Sequence, residues 1–375
     1  MKRIPTSYIR ILTIVLLLVG CFTDMAAQYK VKPYAFSLWE PISFPKWDSM
    51  MINNVSIGLL QSKNGFIHGA NINTLIGRSS GNVKGVALSG LANITRKDMN
   101  GFQASSIWNN NFGNTRGVQL SAFSNMTIGK MKGFQLGGAF NFVAGNLSGV
   151  QISGLTNVVG MNAYGMQISP ILNLTLNSTV GTQVGALNFS EELHGLQIGA
   201  INLTGKGSGK ILGAQVGLIN YSADTSAIQV GLVNATPQTK IQMIVYGGNM
   251  YYGGAAIKFK NTKAYNIIVL GSPYTKGRGV YSGAIIYRSG YYATLFKRIE
   301  VSADAGIAYI SITNTNPEII IPKDLLSIQF RGNIEYRFSK RLGLFGTVGW
   351  ARDSRWFEIE TYRTKGFVEM GVSLF

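Results

Sequence analysis

The chain has one cysteine, Cys21, in 375 residues, so no internal disulfide can form. Histidine is nearly as scarce. His68 and His194 lie far apart and cannot build a metal centre by themselves. Neither has a serine and an aspartate spaced to make a hydrolytic triad, so no catalytic residue and no cofactor site is expected. Charged residues are only 13% of the chain and prolines number 9. Hydrophobic content, at 46%, is ordinary for folded protein and excludes an intrinsically disordered chain. Long apolar runs are missing too. The longest, Ile11 to Val19, is broken by Thr13 and is too short for a spanning helix.

Glycine is plentiful, at 46 residues, and acidic residues are outnumbered 16 to 34, for a net charge of +18. Lys2, Arg3 and Arg10 before the Ile11 to Val19 run read as an export signal. Two cleavage sites compete. Met25-Ala26-Ala27 before Gln28 suits ordinary signal peptidase, whereas Leu18-Val19-Gly20-Cys21 has the pattern of a lipobox, which would make Cys21 a lipidation site. A basic exported protein meets no nucleic acid. Its anionic neighbours are membrane lipid, lipopolysaccharide phosphates and acidic surface glycans.

An internal repeat dominates the middle of the chain. The unit is Gly-x-Gln-apolar-small-small-apolar-x-Asn. It reads GVALSGLAN from Gly85, GFQASSIWN from Gly101, GVQLSAFSN from Gly117, GFQLGGAFN from Gly133, GVQISGLTN from Gly149 and GMQISPILN from Gly165. Lead glycines recur every 16 residues from Gly69 to Gly181. Later copies, such as Gln183–Asn188 and Gln215–Asn220, are shorter by one residue. Hairpins tolerate variable loops, but stacked coils do not, so constant spacing predicts a β-solenoid. The small-small pair is the expected bend between two short strands. Asn93, Asn109, Asn125, Asn141, Asn157 and Asn173 should stack as one amide ladder, and Gln103, Gln119, Gln135, Gln151 and Gln167 as another. The lead glycines should supply positive φ at a corner.

The slot before each lead glycine holds His68, Lys84, Asn100, Arg116, Lys132, Ser148, Tyr164 and His194. Stacking makes this a polar edge. Lys84, Arg116 and Lys132 are the candidate anion-contacting residues, because like charges about 5 Å apart must face water or an anion. Gly205-Lys206-Gly207-Ser208-Gly209 lacks both the Walker spacing and a following helix and reads as a loop between coils.

From about Ile241 longer strands replace the repeat. In 326–338, Leu326, Ile328, Phe330, Ile334, Tyr336 and Phe338 share one face and Ser327, Gln329, Arg331, Asn333, Glu335 and Arg337 the other. Segments 241–248, 250–260, 264–271, 279–288, 291–297 and 299–312, with 326–338, a strand from Leu342 and a last one through Val368, bring the count to nine. Outer-membrane barrels have even numbers of eight or more, so one is miscounted. Phe375 after the last strand resembles the signal read by barrel-insertion machinery.

The repeats resemble those of bacterial surface-repeat proteins, whose copies read G-L-Q-φ-G-L-φ-N, over about residues 54–236. The segment from Pro41 to Leu60 is similar to the lead-in of their outer-membrane members. The resemblance implies a Gram-negative envelope protein and no particular activity. The reading is all-β: signal peptide 1–27, lead-in 28–53, sixteen-residue repeats 54–236, and an antiparallel outer-membrane-type β-barrel 237–375. The expected role is non-enzymatic: structural, adhesive or glycan-contacting. The alternative is a porin or transporter in which repeats and C-terminal strands form one larger barrel, at the cell outer membrane in either case.

Overall fold

The computed structural model describes residues 29–205, 213–273, 279–315, 322–355 and 361–375. The signal segment, Cys21 and residues 206–209 of the glycine-rich loop lie outside them. Among the described residues every regular element is a strand. The chain divides into two compact units, one ending at Gln151 and the other beginning at Ile152.

The first unit is a stack of two-stranded coils. Strand Met131–Gly137, a bend at Gly138-Ala139 and strand Phe140–Val143 make one coil. Neighbouring coils pair in parallel with every repeat position matched, as in Gly117↔Gly133 and Gln119↔Gln135. The stack begins earlier than the repeat: Lys30–Trp39 pairs in parallel with Met51–Gly58, starting from Lys30↔Met51. Glu40, just after that first strand, is bonded to Lys63 and lies 3.8 Å from Arg78.

Both amide ladders form, and both are interior. Asn93 Nδ2 donates to Asn109 Oδ1 (2.9 Å), Asn109 to Asn125 (2.8 Å) and Asn125 to Asn141 (3.0 Å). Each of these amides also donates to a backbone carbonyl one coil on, for Asn109 that of Leu120 at 2.7 Å. The glutamine ladder runs the other way: Gln119 Nε2 donates back to Gln103, Gln135 to Gln119 and Gln151 to Gln135, at 2.7–2.9 Å. Amides in register satisfy one another, so a polar interior is tolerated. The larger apolar filling lies on the turn side, where Ile67, Val83, Met99, Met131 and Leu147 are buried. The coil exterior carries apolar side chains instead, among them Leu91, Trp108, Phe123, Leu136 and Phe140.

The lead glycines do have positive φ, but inside the first strand of each coil rather than at a corner. Gly117 (φ 132°) shows why. A Cβ there would sit 1.9 Å from the carbonyl oxygen of Gly101 on the preceding coil.

The second unit holds further coils and then a barrel. The shorter copies keep both ladders in register: Asn173↔Asn188 and Gln183↔Gln197 pair directly, with one residue lost at the bend between Val184 and Leu187 and a second absorbed at an irregularity between Thr175 and Ser178. The barrel closes through eight antiparallel strands, not nine. They are Lys240–Gly248, Tyr251–Lys260, Ala264–Pro273, Val280–Phe296, Ile299–Asn314, Asp324–Arg337, Leu342–Arg355 and Thr361–Leu374. The last pairs with the first, for example Val245↔Val372. The segments 279–288 and 291–297 belong to one strand.

The barrel is turned inside out relative to a soluble one. On strand Asp324–Arg337, Ile328, Phe330 and Ile334 are about half exposed, while Ser327, Gln329, Arg331 and Glu335 are buried. The last strand repeats this, with Val368, Met370 and Val372 outward and Glu369 and Ser373 inward. Outward aromatics gather near both strand ends: Tyr252, Tyr281 and Tyr309 at one, Tyr291, Phe296, Tyr336 and Phe338 at the other. At the first end, connections 249–250, 274–279, 315–323 and 356–360 join the strands; at the second, 261–263, 297–298 and 338–341 do.

Candidate functional site

Three features stand out: a basic column on the coils, the filled interior of the barrel, and the joint between coil and barrel. The column follows from register. His68 pairs with Lys84, Lys84 with Asn100, Asn100 with Arg116, and Arg116 with Lys132. Arg116 and Lys132 are therefore direct neighbours, with Lys84 one asparagine away, and all three side chains are exposed. At a coil spacing of about 4.8 Å they repel one another unless water or an anion lies between them. The bend edge of the same coils is apolar, with Leu91 and Phe123 exposed and Phe123 in edge contact with Phe140 at 5.6 Å. His194, in the second unit, sits 3.7 Å from Glu192. Among the described residues no three His, Cys, Asp or Glu side chains converge as metal ligands.

The barrel interior is layered. Toward the long-connection end it is apolar and packed, with Met250, Tyr251, Val269, Ile286, Ile310 and Leu325 at 0–1% exposure. A charged layer follows. Arg331 makes a forked pair with Asp304 (Nε–Oδ1 2.8 Å, Nη2–Oδ2 2.9 Å) and reaches Glu369 Oε2 at 2.9 Å. Arg288 donates to Gln329 (2.8 Å) and lies 3.8 Å from Glu369. Tyr265 donates to Asp304 (2.8 Å), and Ser373 to Glu335 (2.7 Å). Next comes Glu300, which receives both Lys260 and, at 2.6 Å, Arg337. Burying such charges is tolerable when they are paired, and Arg331 with Asp304 and Glu369, and Glu300 with Lys260 and Arg337, are paired across strands.

The joint was not foreseen from the sequence. In the last coils the asparagine ladder runs Asn188 to Asn202 (2.9 Å), Asn202 to Asn220 (2.8 Å) and Asn220 to Asn234 (2.7 Å). Asn234 then donates to Asn266, a barrel residue, at 2.6 Å. Asn266 donates to the Tyr287 hydroxyl (2.6 Å), which donates to the carbonyl of Gly231 (2.5 Å) and so closes the circuit. Asn261 adds a bond to the carbonyl of Asn234 at 3.1 Å. Asn266 alternates with the lumen-facing Tyr265 and Ile267, so it points out of the barrel, yet it is only 4% exposed because the last coil covers it. An asparagine on an outward barrel position was the available signal.

No family model and no curated protein matches the chain. Solved structures similar to it correspond to about a third of its length. They include the N-terminal β-barrel domain of Pseudomonas aeruginosa OprF (14% identity, 36% of this chain and 98% of that one, TM-score 0.29) and Neisserial surface protein A (7%, 36% and 93%, 0.28). A chain described under de novo design of transmembrane β-barrels is also similar (13%, 37% and 95%, 0.26).

Proposed function

We propose that the chain is a non-catalytic outer-membrane protein: the eight-stranded barrel is a sealed anchor and the coils are the working surface. The observation that carries this reading is the polarity of the barrel. Aliphatic side chains such as Leu270, Ile285, Ile307 and Val348 face outward, between aromatic rings at both ends, over an ion-paired interior. That distribution suits an apolar surround of bilayer thickness.

The interior speaks against the porin alternative. Eight strands leave a lumen that side chains can fill, and here an apolar layer and an ion-paired layer occupy it in series. Short connections of outer-membrane barrels face the periplasm. The joint lies at the short-connection end, so the coils belong on the periplasmic side. This differs from the display expected of surface-repeat proteins, which the copies resemble. The basic column then meets acidic glycan or lipid headgroups of that compartment, and the apolar bend edge meets a less polar partner.

The test is conductance. Purified protein that shows heat-modifiable electrophoretic mobility, and so has a folded barrel, should add no current to a planar lipid bilayer. Steady, ohmic single-channel steps from that material would sink the anchor reading in favour of a pore.

A further inference from the structure

The short-connection mouth of the barrel opens into a chamber of about 1300 Å³ that no side chain fills. It is blind, because the Arg331 layer and the apolar layer close the lumen behind it. Its wall carries Lys240, Lys260, Lys297, Arg298, Arg337 and Lys340, and Glu300 is the one acidic side chain among its described lining residues. Glu300 is already engaged: Lys260 and Arg337 share its Oε2. Lys240, Lys297, Arg298 and Lys340 are left with no further acidic side chain in the described wall.

A second observation points the same way. Gln242 lines the chamber at 0% exposure, and neither its amide oxygen nor its amide nitrogen has a partner among the described residues. The Nε of Arg337, also in the wall, is likewise unpartnered. Buried donors without acceptors are costly and rare in folded proteins. Orphaned acceptors lie there too, Gln242 Oε1 and Glu300 Oε1, but six cationic side chains against one carboxylate make the group that the cavity lacks an anion.

We propose that this chamber is a binding site for a phosphate-bearing anion. Arg298 and Arg337 supply guanidinium forks, and Lys297 and Lys340 supply ammonium groups. Several like charges around a blind space call for a multivalent counter-ion. A phosphate group brings up to two charges and three acceptor oxygens, where a carboxylate brings one charge and two. A polymeric nucleic acid does not fit, because the chamber has no exit. The source is either a lipid headgroup beside the mouth or a soluble phosphate compound.

The test uses the full chain in nanodiscs of zwitterionic lipid, titrated calorimetrically with inorganic pyrophosphate at low salt. Saturable binding is expected, and it should weaken as salt screens the charges. The double variant Arg298→Gln/Lys340→Gln, both positions exposed in short connections, should bind at least about tenfold more weakly while keeping heat-modifiable mobility. The triple variant Lys84→Gln/Arg116→Gln/Lys132→Gln should bind as the parent does. Absence of saturable binding overturns the proposal. So does equal affinity in the double variant, or equal loss in the triple variant. Discs containing anionic phospholipid separate the sources. Competition with pyrophosphate assigns the site to a headgroup, and undiminished binding assigns it to a soluble phosphate.

Discussion

At the scale of single residues, the ladders set what the coils tolerate. Asn125 accepts from Asn109, donates to Asn141 and also donates to the carbonyl of Leu136 at 2.8 Å. Asn125→Ala strands a buried donor and a buried carbonyl and should lower unfolding stability by about 1–3 kcal/mol in urea titrations. An unchanged midpoint would mean that the ladder adds nothing to stability. Gly117→Ala places a Cβ against the Gly101 carbonyl at φ 132° and should cost about 1–3 kcal/mol, seen as a lower melting temperature by circular dichroism. Glu40 is a pH-dependent clasp. The hydrogen bond from Lys63 holds its carboxyl below the usual glutamate range, although partial burial opposes this. A depressed pKa means that the clasp is fully present above the unfolded value, about 4.3, and is lost as pH falls through the folded value. Proteolysis between residues 29 and 50 should therefore accelerate as pH drops below about 4 in the parent. In Glu40→Gln it should be fast already at neutral pH; equal rates in the two proteins at neutral pH would show that the clasp is not holding this segment.

At the scale of elements, the charged layer is the part most sensitive to one change. Arg331→Ala leaves Asp304 and Glu369 buried without their main partner, a loss expected to cost about 3–5 kcal/mol. The temperature at which the folded electrophoretic band converts to the unfolded one should fall clearly below that of the parent. Strand Asp324–Arg337 was legible in advance because its period of two was unbroken over its length. The division of 279–297 into two strands was wrong for a local reason. Ser289-Gly290 reads as a turn, but Gly290 is a strand residue facing the lumen. A Cβ there would lie 2.6 Å from the Cβ of Asp304, so glycine leaves room for the Asp304–Arg331 pair. Nothing in one strand's sequence reports crowding from its neighbour. Stacking, bends and ladders were legible because they repeat. The chamber and the Asn234–Asn266 joint were not, because each joins residues from segments that share no pattern.

At the scale of the whole molecule, the direction in which the coils project is the open prediction. With Cys21→Ser as background, Lys132→Cys on the exposed column should react with a membrane-impermeant maleimide only after the outer membrane is permeabilised. Lys323→Cys, exposed in the connection before strand Asp324–Arg337, should react in intact cells. Labelling of Lys132→Cys in intact cells would place the coils outside and reverse the assignment.

Identical pairing from coil to coil also bears on inheritance. Unequal crossing-over between neighbouring copies adds or removes one whole coil and leaves each amide facing an amide, so the product still folds. The number of coils is therefore adjustable across generations in single-coil increments, without any change to the anchor.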